Sequence, residues 1–324
     1  MKSYRILQND AGQRVDRFVS KAVPALPASL LQRYIRTKRI KLNGKRCENR
    51  TMLTVGDELS LYINDEFFAP ASETENAFLS ARGPVDFVYE DENLILADKR
   101  PGLVVHEDDS GSADTLINRI QRILFERGEY DPAAENSFAP ALCNRLDRNT
   151  GGIVIAAKNA ATLRVMNTLL RERLLEKHYL CLVHGAPNPP AATLRGYLQK
   201  DEARRQVEVF DRPRPGAKTI LTRYETLEHS GAVSLLDVEL LTGRTHQIRA
   251  HLAHAGHPLL GDTKYGRNRD NRENGCRFQA LYSYRLRFLP DERLEHLADL
   301  GGREFRIPPE QIWFYRDFVS GNLK

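Results

Sequence analysis

Asp147 is the residue whose surroundings most suggest covalent chemistry. It lies in NRLDRNTGG, residues 144–152, between Arg145 and Arg148. A neighbouring positive charge keeps a carboxylate ionised, which suits a nucleophile better than a general acid. Asn149 and the two glycines allow a sharp turn after a predicted apolar strand. An isolated string of this kind is usually an ordinary turn with a surface ion pair, so other segments must support the chemical interpretation.

Two further segments carry polar side chains on predicted regular elements. Residues 242–252, TGRTHQIRAHL, follow a predicted strand and open a predicted helix. Arg244 and Arg249 could each bind a carboxylate or a phosphate through two hydrogen bonds. Residues 176–183, EKHYLCLV, place Tyr179 among apolar neighbours on a predicted strand. Taken alone, these patterns favour a half-buried sheet tyrosine and two surface arginines.

The histidines raise the alternative of a metal site. Four of the nine lie in one stretch: His246, His251, His254 and His257. His251 and His254 are three residues apart and could share a helical face. The sequence lacks the glutamate-flanked histidine pair of many zinc enzymes, and Asp262 is the one nearby acid. We therefore expect no metal. A metal-dependent hydrolase is the less favoured alternative, and it would bind zinc and be sensitive to chelators.

The basic charge is concentrated near the N-terminus. The 324 residues include 48 Lys and Arg and 43 Asp and Glu, a net charge of +5. Residues 11–63 hold eleven basic and four acidic residues, a net of +7, so the other residues sum to −2. Such a patch indicates a polyanionic partner, although solvated basic surfaces are also common.

Composition narrows the class of protein further. Hydrophobic residues make up 41% of the chain, enough for a sizeable core and for two domains. The cysteines are far apart and form no CxxC pair, so neither a zinc knuckle nor a redox dithiol is indicated. No stretch approaches the roughly 20 apolar residues that span a bilayer, and the N-terminus lacks an apolar signal core. We expect a cytoplasmic protein with reduced thiols and no membrane contact.

Periodicity predicts a small α/β unit at the N-terminus. Apolar residues recur at helical spacing in 14–23 and in 29–37, where Ser29 is the expected N-cap. Asn43-Gly44 predicts a tight hairpin, and residues 55–63 predict the closing strand. Basic residues surround these turns.

A larger α+β domain is predicted for the rest of the chain. Residues 64–79 are acidic and rich in Ala, Ser and Glu, and we place a linker at 67–80. Strands are expected within 86–99, 141–148 and 151–159 and near 178–184, 192–198, 218–228 and 232–241. Helices are expected at 113–127, at 159–175, from about Thr245 and within 306–319, and a polar loop at 266–275. Because the strands follow one another without regular helical crossovers, we predict a mixed, mostly antiparallel sheet with flanking helices.

Together these segments resemble the pseudouridine synthases of types A and C that modify the large ribosomal subunit. Residues 144–152 are close to that family's H-R-L-D-x-x-T-S/G-G, and Lys177-His178-Tyr179 fits its K-x-Y. Residues 243–251 contain G-R-T-H-Q-I-R-x-H in full, and residues 256–266 contain G-H-P-x-x-G-D-x-x-Y-G in full. Two shorter matches are Lys99-x-Pro101-Gly102 with His106, and Gly216-x-Lys218 with Thr222. The resemblance covers about residues 80–288, and the ordered agreement outweighs the ordinary interpretation of each segment.

The N-terminal unit resembles a different module. Residues 11–63 are similar to the small RNA-binding domain first named from a ribosomal protein of the small subunit, which many enzymes of this family carry. We therefore expect an RNA-binding domain at 1–66, a linker at 67–80 and a catalytic domain at 81–324. The residues expected to grip RNA phosphates are Arg33, Arg36, Lys38, Arg39, Lys41, Lys45 and Arg46.

The resemblance implies an enzyme that isomerises uridine in RNA to pseudouridine without a cofactor or a metal. Asp147 would be the nucleophile, and Arg249 would pair with it. Tyr179 would stack on the uracil and remove the proton from its carbon 5. Direct attack on the ribose and stabilisation of a glycal-like species both remain open for Asp147.

Further substrate contacts are implied by the same resemblance. Arg145 would fill the space left by the flipped-out nucleotide, and Ile248 would form an apolar wall beside the base. The other residues expected to bind substrate are His106, Arg244, His246 and Gln247. Large-subunit ribosomal RNA is the expected partner, with transfer RNA as an alternative.

The sequence departs from the family pattern in two places. Asn144 stands where His normally precedes Arg-Leu-Asp. The family usually shows R-x-x-L-H-A near its C-terminal end, and this chain has Arg277 followed by Leu281-Tyr282-Ser283. These departures bear on substrate identity more than on activity. They leave a non-catalytic RNA-binding or ribosome-assembly protein as the main alternative.

Overall fold

The N-terminal sheet packs against two amphipathic helices. The computed structural model describes residues 1–68, 73–107, 111–202, 206–266 and 276–321. The first elements are β1 (Lys2–Arg5), α1 (Val15–Ala22), α2 (Ala28–Arg36), β2 (Ile40–Leu42), β3 (Lys45–Arg46) and β4 (Glu58–Leu61), with strand order β1-β4-β2-β3. Val15, Phe18 and Val19 recur at helical spacing on α1 and are fully buried. The predicted Asn43-Gly44 turn is confirmed, because both residues have positive φ, 50° and 73°, between β2 and β3.

The prediction that Ser29 caps α2 was wrong. The helix begins at Ala28, and Pro27 occupies the capping position with φ at −59°. The Pro27 carbonyl already accepts hydrogen bonds from the amides of Leu30 and Leu31. Since the proline ring holds φ near a helical value, the chain enters the helix before Ser29.

The second sheet contains eleven strands in the described residues. They are β5 (Asp86–Glu90), β6 (Leu94–Lys99), β7 (Ala141–Leu142), β8 (Gly151–Ala157), β9 (Leu175–His184), β10 (Ala191–Asp201), β11 (Gln206–Phe210), β12 (Lys218–Ser230), β13 (Val233–Leu240), β14 (Leu281–Phe288) and β15 (Glu304–Arg306). The order is β11-β10-β12-β13-β9-β14-β8-β6-β5, with β15 beside β14 and β7 beside β8. β8 and β14 pair in parallel, and the other pairs are antiparallel. The predicted mixed, mostly antiparallel α+β fold is confirmed.

Helices cover both faces of the large sheet. They are α3 (Leu116–Glu126), α4 (Ala160–Arg171), α5 (Gln247–His254) and α6 (Trp313–Val319). α4 and α6 contribute to the apolar cluster on one face, and α3 and α5 contribute to the cluster on the other. Every residue of β8 is buried because this central strand is covered on both faces. No described helix is long and apolar enough to cross a membrane.

Some predicted boundaries differ from the structure. The strand expected at 141–148 ends at Leu142, because residues 143–150 turn out of the sheet. The helix expected at 159–175 ends at Arg171, since Arg173 takes a positive φ of 60° and the chain enters β9. The strands β11, β14 and β15 were not predicted. The predicted polar loop at 266–275 lies, apart from its first residue, outside the described residues.

The predicted linker ends in a segment that packs on the larger domain. Residues 73–80 form a 3-10 helix, and Phe78 near its end is buried against Phe125 and Tyr130, with ring centroids 5.6 and 5.9 Å apart. The division of the chain at 66 and 80 stays a prediction.

Polar side chains join the N-terminal unit to the larger domain around Asp10. The Asp10 carboxylate is fully buried and accepts hydrogen bonds from Ser137 Oγ at 2.6 Å and from Asn136 Nδ2 at 2.7 Å. Asn9 Oδ1 accepts one from the amide of Ala160, at the start of α4, at 3.1 Å. These bonds dock the small unit beside α4.

We expect Asp10→Ala to loosen this docking and to lower the free energy of unfolding by about 2 kcal/mol, because hydrogen bonds to a charged acceptor disappear. Hydrogen exchange at the amides of residues 135–137 should become faster, as measured by mass spectrometry. Asp65→Ala is the control, since that carboxylate is 91% exposed. Unchanged exchange at 135–137 in Asp10→Ala would contradict the docking role.

Candidate active site

A buried lysine holds the loop that carries Asp147. Lys99, at the end of β6, is fully buried and donates hydrogen bonds to the carbonyls of Leu103 at 2.8 Å, Arg148 at 2.9 Å and Arg100 at 3.2 Å. Burial lowers the pKa of Lys99 to about 7, and the charge of Asp147 opposes part of that shift. The lysine thus ties the end of β6 to the backbone directly after Asp147.

Asn144 fixes the other end of the loop. Its Oδ1 accepts a hydrogen bond from the amide of Ile155 on β8 at 2.8 Å. A histidine ring nitrogen can accept the same kind of bond, so this departure from the family pattern preserves an acceptor. On the far side of Asp147, Gln279 Nε2 donates to Thr150 Oγ1 at 3.1 Å.

Arg249 connects Asp147 to a second carboxylate. Arg249 Nη1 donates to Asp147 Oδ2 at 2.8 Å. Its Nε and Nη2 donate to the two oxygens of Asp262, at 2.7 and 2.9 Å. The guanidinium therefore uses three nitrogens on two carboxylates, and its planar fork fixes their relative positions.

The buried pair sets the charge state of this arrangement. Arg249 is 7% exposed and Asp262 has no exposed surface. Burial alone would lower the pKa of Arg249, but its hydrogen bonds and charge attraction to Asp262, and then its attraction to Asp147, raise that pKa. Burial alone would raise the pKa of Asp262, but Arg249 and the amides of Lys264 and Tyr265 lower it. Both groups are therefore charged at neutral pH.

His246 lies between Tyr265 and Asp147. Tyr265 Oη accepts a hydrogen bond from the amide of Val207 at 3.0 Å and lies 2.8 Å from His246 Nδ1. The other ring nitrogen, Nε2, is 3.7 Å from Asp147 Oδ2. Burial lowers the pKa of His246 and the charge of Asp147 opposes that shift, so the ring is neutral at neutral pH.

The turn before α5 positions the histidine and the arginine. His246 takes a left-handed conformation, φ 53°, immediately before Gln247 opens the helix. The Gln247 side chain is 2% exposed, accepts from Thr242 Oγ1 at 2.9 Å and donates to Thr222 Oγ1 at 3.0 Å. The side-chain amide of Gln247 is thus bonded to other protein groups. Arg244, at the start of the same turn, is exposed.

Asp147 lies at the junction of two cavities. One has a volume of about 370 Å³ and is lined by Asp147, Tyr179, Arg244, Gln247 and Ile248, among others. The other, of about 550 Å³, is lined by His106, Arg148, Lys264 and Gln279, among others. Arg145, Asp147, His246 and Arg249 line both. The first volume lies in the range that small-molecule ligands occupy.

Tyr179 and Ile248 form apolar walls of the smaller cavity. Tyr179 lies on β9 and is 6% exposed, and Ile248 lies on α5 and is 4% exposed. Burial raises the pKa of Tyr179 to about 12; the polar side chain of Ser283 opposes this shift, and the charge of Asp147 adds to it. Burial also lowers the pKa of His106 at the larger cavity, with Arg145 acting in the same direction.

The four clustered histidines have separate partners. Beyond His246, the buried His251 Nδ1 lies 2.9 Å from Thr222 Oγ1, and burial lowers its pKa to about 4. His254 Nε2 is 2.8 Å from Asp211 Oδ1, and His257 Nδ1 is 3.0 Å from the carbonyl of His184. Within the part of the chain that the structure describes, no group of His, Cys, Asp or Glu is arranged to hold a metal.

The basic residues of the N-terminal unit form an open surface. All of the predicted RNA-binding side chains are exposed except Lys41, which is half-buried. Arg39 lies over the ring of Tyr34, 4.7 Å from its centroid, and Lys41 lies 5.3 Å from that of Tyr62. None of these basic residues has a salt bridge to another described residue. Their charges face solvent.

Several residues that the structure brings to the site had no role assigned from the sequence. Asp262 and Tyr265 belong to the motif at 256–266, but the motif alone assigned no role to either residue. In the structure Asp262 binds Arg249, and Tyr265 contacts His246. Lys177 also lines the smaller cavity, and burial lowers its pKa. Ser283, at a position where the sequence departs from the pattern, is the register partner of Tyr179 where β14 pairs with β9.

The chain is similar to several known groups of proteins. Residues 93–254 match the RNA pseudouridylate synthase family, and residues 13–59 match the S4 domain. Over 291 residues the chain is 33% identical to an uncharacterized RNA pseudouridine synthase of Mycoplasma genitalium, covering 88% of each protein. Over 277 residues it is 30% identical to ribosomal large subunit pseudouridine synthase C of Escherichia coli, covering 82% of this chain and 80% of that protein. The solved structure of human RNA pseudouridylate synthase domain containing 4 aligns with a TM-score of 0.55 at 20% identity, covering 76% of this chain and 94% of that one, and so shares the fold.

We expect Asp262→Asn to destabilise the protein by about 3 kcal/mol, because it leaves the buried Arg249 with half of its compensating charge. Urea unfolding followed by circular dichroism measures this change. Asp211→Asn is the matched control. Asp211 is 85% exposed and pairs with His254, which lies on the same helix as Arg249. An exposed pair of this kind contributes little to the free energy of unfolding. Equal stability of the two variants would show that Asp262 does not support Arg249.

Proposed function

The chain belongs to the RNA pseudouridylate synthase family, with an S4 domain at its N-terminus, and we propose that Asp147 is the nucleophile of its reaction. As the motifs predicted, it is an RNA pseudouridine synthase, an enzyme that isomerises uridine. The observation that carries the proposal is the position of the Asp147 carboxylate at the junction of two cavities, where its Oδ2 accepts a hydrogen bond from Arg249 Nη1 at 2.8 Å.

The reaction needs a carboxylate and no redox partner. The bond between ribose C1′ and uracil N1 breaks, the base turns, and C5 joins C1′, so the product is an isomer of the substrate. A carboxylate can attack C1′ as in a retaining glycosidase, or it can stabilise a glycal-like species. In this proposal Arg249 orients Asp147 through a fork that is itself fixed by Asp262.

The smaller cavity is the proposed site of the uracil. Tyr179 and Ile248 would hold the ring between them, and their burial at the cavity wall supports this assignment. Tyr179 would remove the C5 proton after the new bond has formed. His106, Arg244 and His246 would contact the nucleotide from the cavity walls. The hydrogen bonds of Gln247 to protein groups favour a supporting part for it.

The substrate nucleotide must leave its stack to reach Asp147. Flipping costs a few kcal/mol, which contacts with the protein must offset. Arg145 is exposed, two residues before Asp147, and we assign it to the space that the nucleotide vacates.

RNA is held elsewhere by the S4 domain in this proposal. The exposed basic residues of that domain would contact phosphates and keep the RNA in register without reading its sequence. We propose large-subunit ribosomal RNA as the substrate, and hence a cytoplasmic site of action, because a relative 30% identical to this chain carries that substrate in its name.

We expect Asp147→Ala to abolish tritium release from RNA labelled at carbon 5 of uridine, while RNA affinity stays nearly unchanged, because the variant loses the nucleophile but no phosphate contact. The assay uses ribosomal and transfer RNA from cells that lack this gene, with EDTA present. Asp211→Ala is the control and should keep full activity. Substantial release by Asp147→Ala would refute the nucleophile, whereas no release by the unmodified protein would favour a non-catalytic RNA-binding protein.

We expect RNA affinity to fall steeply with salt, because phosphate contacts release counterions. The double variant Arg36→Ala, Lys38→Ala should reduce the slope of log affinity against log salt by roughly 0.7–0.9 for each phosphate that is no longer neutralised. Arg287→Ala with Arg306→Ala is the control, since these arginines are about half exposed on β14 and β15. A flat salt profile, or equal slopes for both double variants, would contradict phosphate binding by the S4 domain.

A further inference from the structure

Lys177 places a positive charge in the wall of the smaller cavity. It lies on β9 two residues before Tyr179, and side chains alternate along a strand, so both point to the same face of the sheet. Both residues line the smaller cavity. Lys177 Nζ lies 3.9 Å from the place that a Cβ on Gly243 would take, so the side chain reaches the turn before α5.

The charge of Lys177 has no partner within the described part of the chain. Its ammonium forms no hydrogen bond and no salt bridge to another described residue, and its register partner across β14 is the apolar Leu286. Lys99, by contrast, donates to three carbonyl oxygens, and Asp147 opposes the effect of burial on its pKa. Burial lowers the pKa of Lys177 as well, and there no acidic group opposes the shift.

Other polar side chains of this cavity wall offer Lys177 no counter-ion. Burial raises the pKa of the Cys143 thiol to about 12, so the thiol is neutral. Asn144 Oδ1 already accepts a hydrogen bond from an amide of β8. Asp147, the one carboxylate among the described residues of this wall, is paired with Arg249. Because an uncompensated charge away from water is costly, a ligand that brings an acceptor is the natural partner of this ammonium.

We propose that Lys177 is a further catalytic residue, which donates a hydrogen bond to a carbonyl oxygen of the uracil and stabilises the negative charge that the base carries after its bond to ribose has broken. The inference rests on the proposed function, in which the smaller cavity receives the uracil. An ammonium group suits this role, because it is a compact charge with three rotatable donors.

The negative charge arises when the glycosidic bond breaks. The electron pair of the C1′–N1 bond leaves with the uracil, which becomes an anion whose charge is shared by N1, O2 and O4. Direct attack by Asp147 and the glycal-like route both produce this anion. The proton of Lys177 stays on Nζ throughout, and the anion is consumed when C5 forms its bond to C1′.

One fixed cation suits both orientations of the base. A half turn about the line through C6 and N3 exchanges N1 with C5, and the same turn exchanges the two carbonyl groups. Lys177 can therefore contact one carbonyl oxygen before the turn and the other after it. Because the charge of the base develops during bond breaking, this contact is stronger in the transition state than in the neutral substrate.

The first test measures single-turnover tritium release by Lys177→Met, with RNA labelled at carbon 5 of uridine. We expect this variant to be about 100-fold slower than the unmodified protein, as is typical when one donor to a developing anion is removed. RNA affinity should be unchanged, since Lys177 contacts the base and no phosphate. Lys200→Met is the matched control and should keep the full rate, because the Lys200 side chain is 66% exposed.

Stability separates this role from a structural one. The urea midpoint of Lys177→Met should equal or exceed that of the unmodified protein, because the variant loses an uncompensated charge and keeps most of the side-chain volume. A lysine that only supported the fold would give a lower midpoint together with the slower rate.

Chemical rescue separates the charge of Lys177 from its volume. Lys177→Ala leaves space for a small amine, so added propylammonium should restore part of the rate, and propanol of similar size should not. A full rate in Lys177→Met, a lower urea midpoint in that variant, or equal effects of the two additives would overturn the role of Lys177. Failure of the unmodified protein to release tritium would instead overturn the proposed function, and thereby the premise of this inference.

Discussion

The bonds of Arg249 to Asp147 and Asp262 are the interaction on which the site depends. A buried guanidinium is costly unless its charge is compensated, and Asp262 supplies that compensation with two hydrogen bonds. The remaining nitrogen, Nη1, donates to Asp147 at the wall of the two cavities, because the bonds to Asp262 hold the guanidinium in place. Asp262 is in turn fixed by the amides of Lys264 and Tyr265, and the Tyr265 hydroxyl lies 2.8 Å from His246 Nδ1. One ion pair therefore orders a carboxylate, a ring and a turn together.

The large sheet brings these parts together at its one parallel strand pair among the described residues. β8 and β14 run in parallel, and they meet where Gly151 and Gly152 leave room for the Tyr282 ring and the Ser283 backbone. The loop with Asp147 enters β8 at this point, and β14 passes the neighbouring Tyr179. Tyr282 also donates to Asp98 Oδ1 at 2.7 Å on β6, next to the lysine that supports the loop. The tyrosine that departs from the C-terminal motif thus has a direct partner at the centre of the fold.

Local patterns predicted much of the fold but fewer of the contacts. Amphipathic spacing was sufficient for α1 and α3, and Asn43-Gly44 was sufficient for its turn, because these features depend on neighbours in sequence. The ends of α4 and of β7 were both predicted too late in the sequence, since they depend on how the chain enters and leaves a sheet formed by distant strands. Arg249 was expected beside Asp147 through a family resemblance, and that contact is present. Arg145 and Arg148 flank Asp147 in sequence, but the cation that bonds to it comes from 102 residues away. No local pattern reveals Asp262 as the anchor, because its burial is a property of the folded sheet.

The docking of the N-terminal unit through Asp10 has a consequence for how RNA is selected. A domain on a free tether would present its proposed phosphate contacts at many distances from Asp147, the proposed nucleophile, and any uridine within reach would compete. In a docked domain, the basic surface of the N-terminal unit and Asp147 keep one separation and one orientation. An RNA bound to the basic surface then presents a uridine to Asp147 at high effective concentration only if the fold of the RNA places a uridine at that distance. Selectivity of this kind resides in the shape of the RNA and needs no reading of bases.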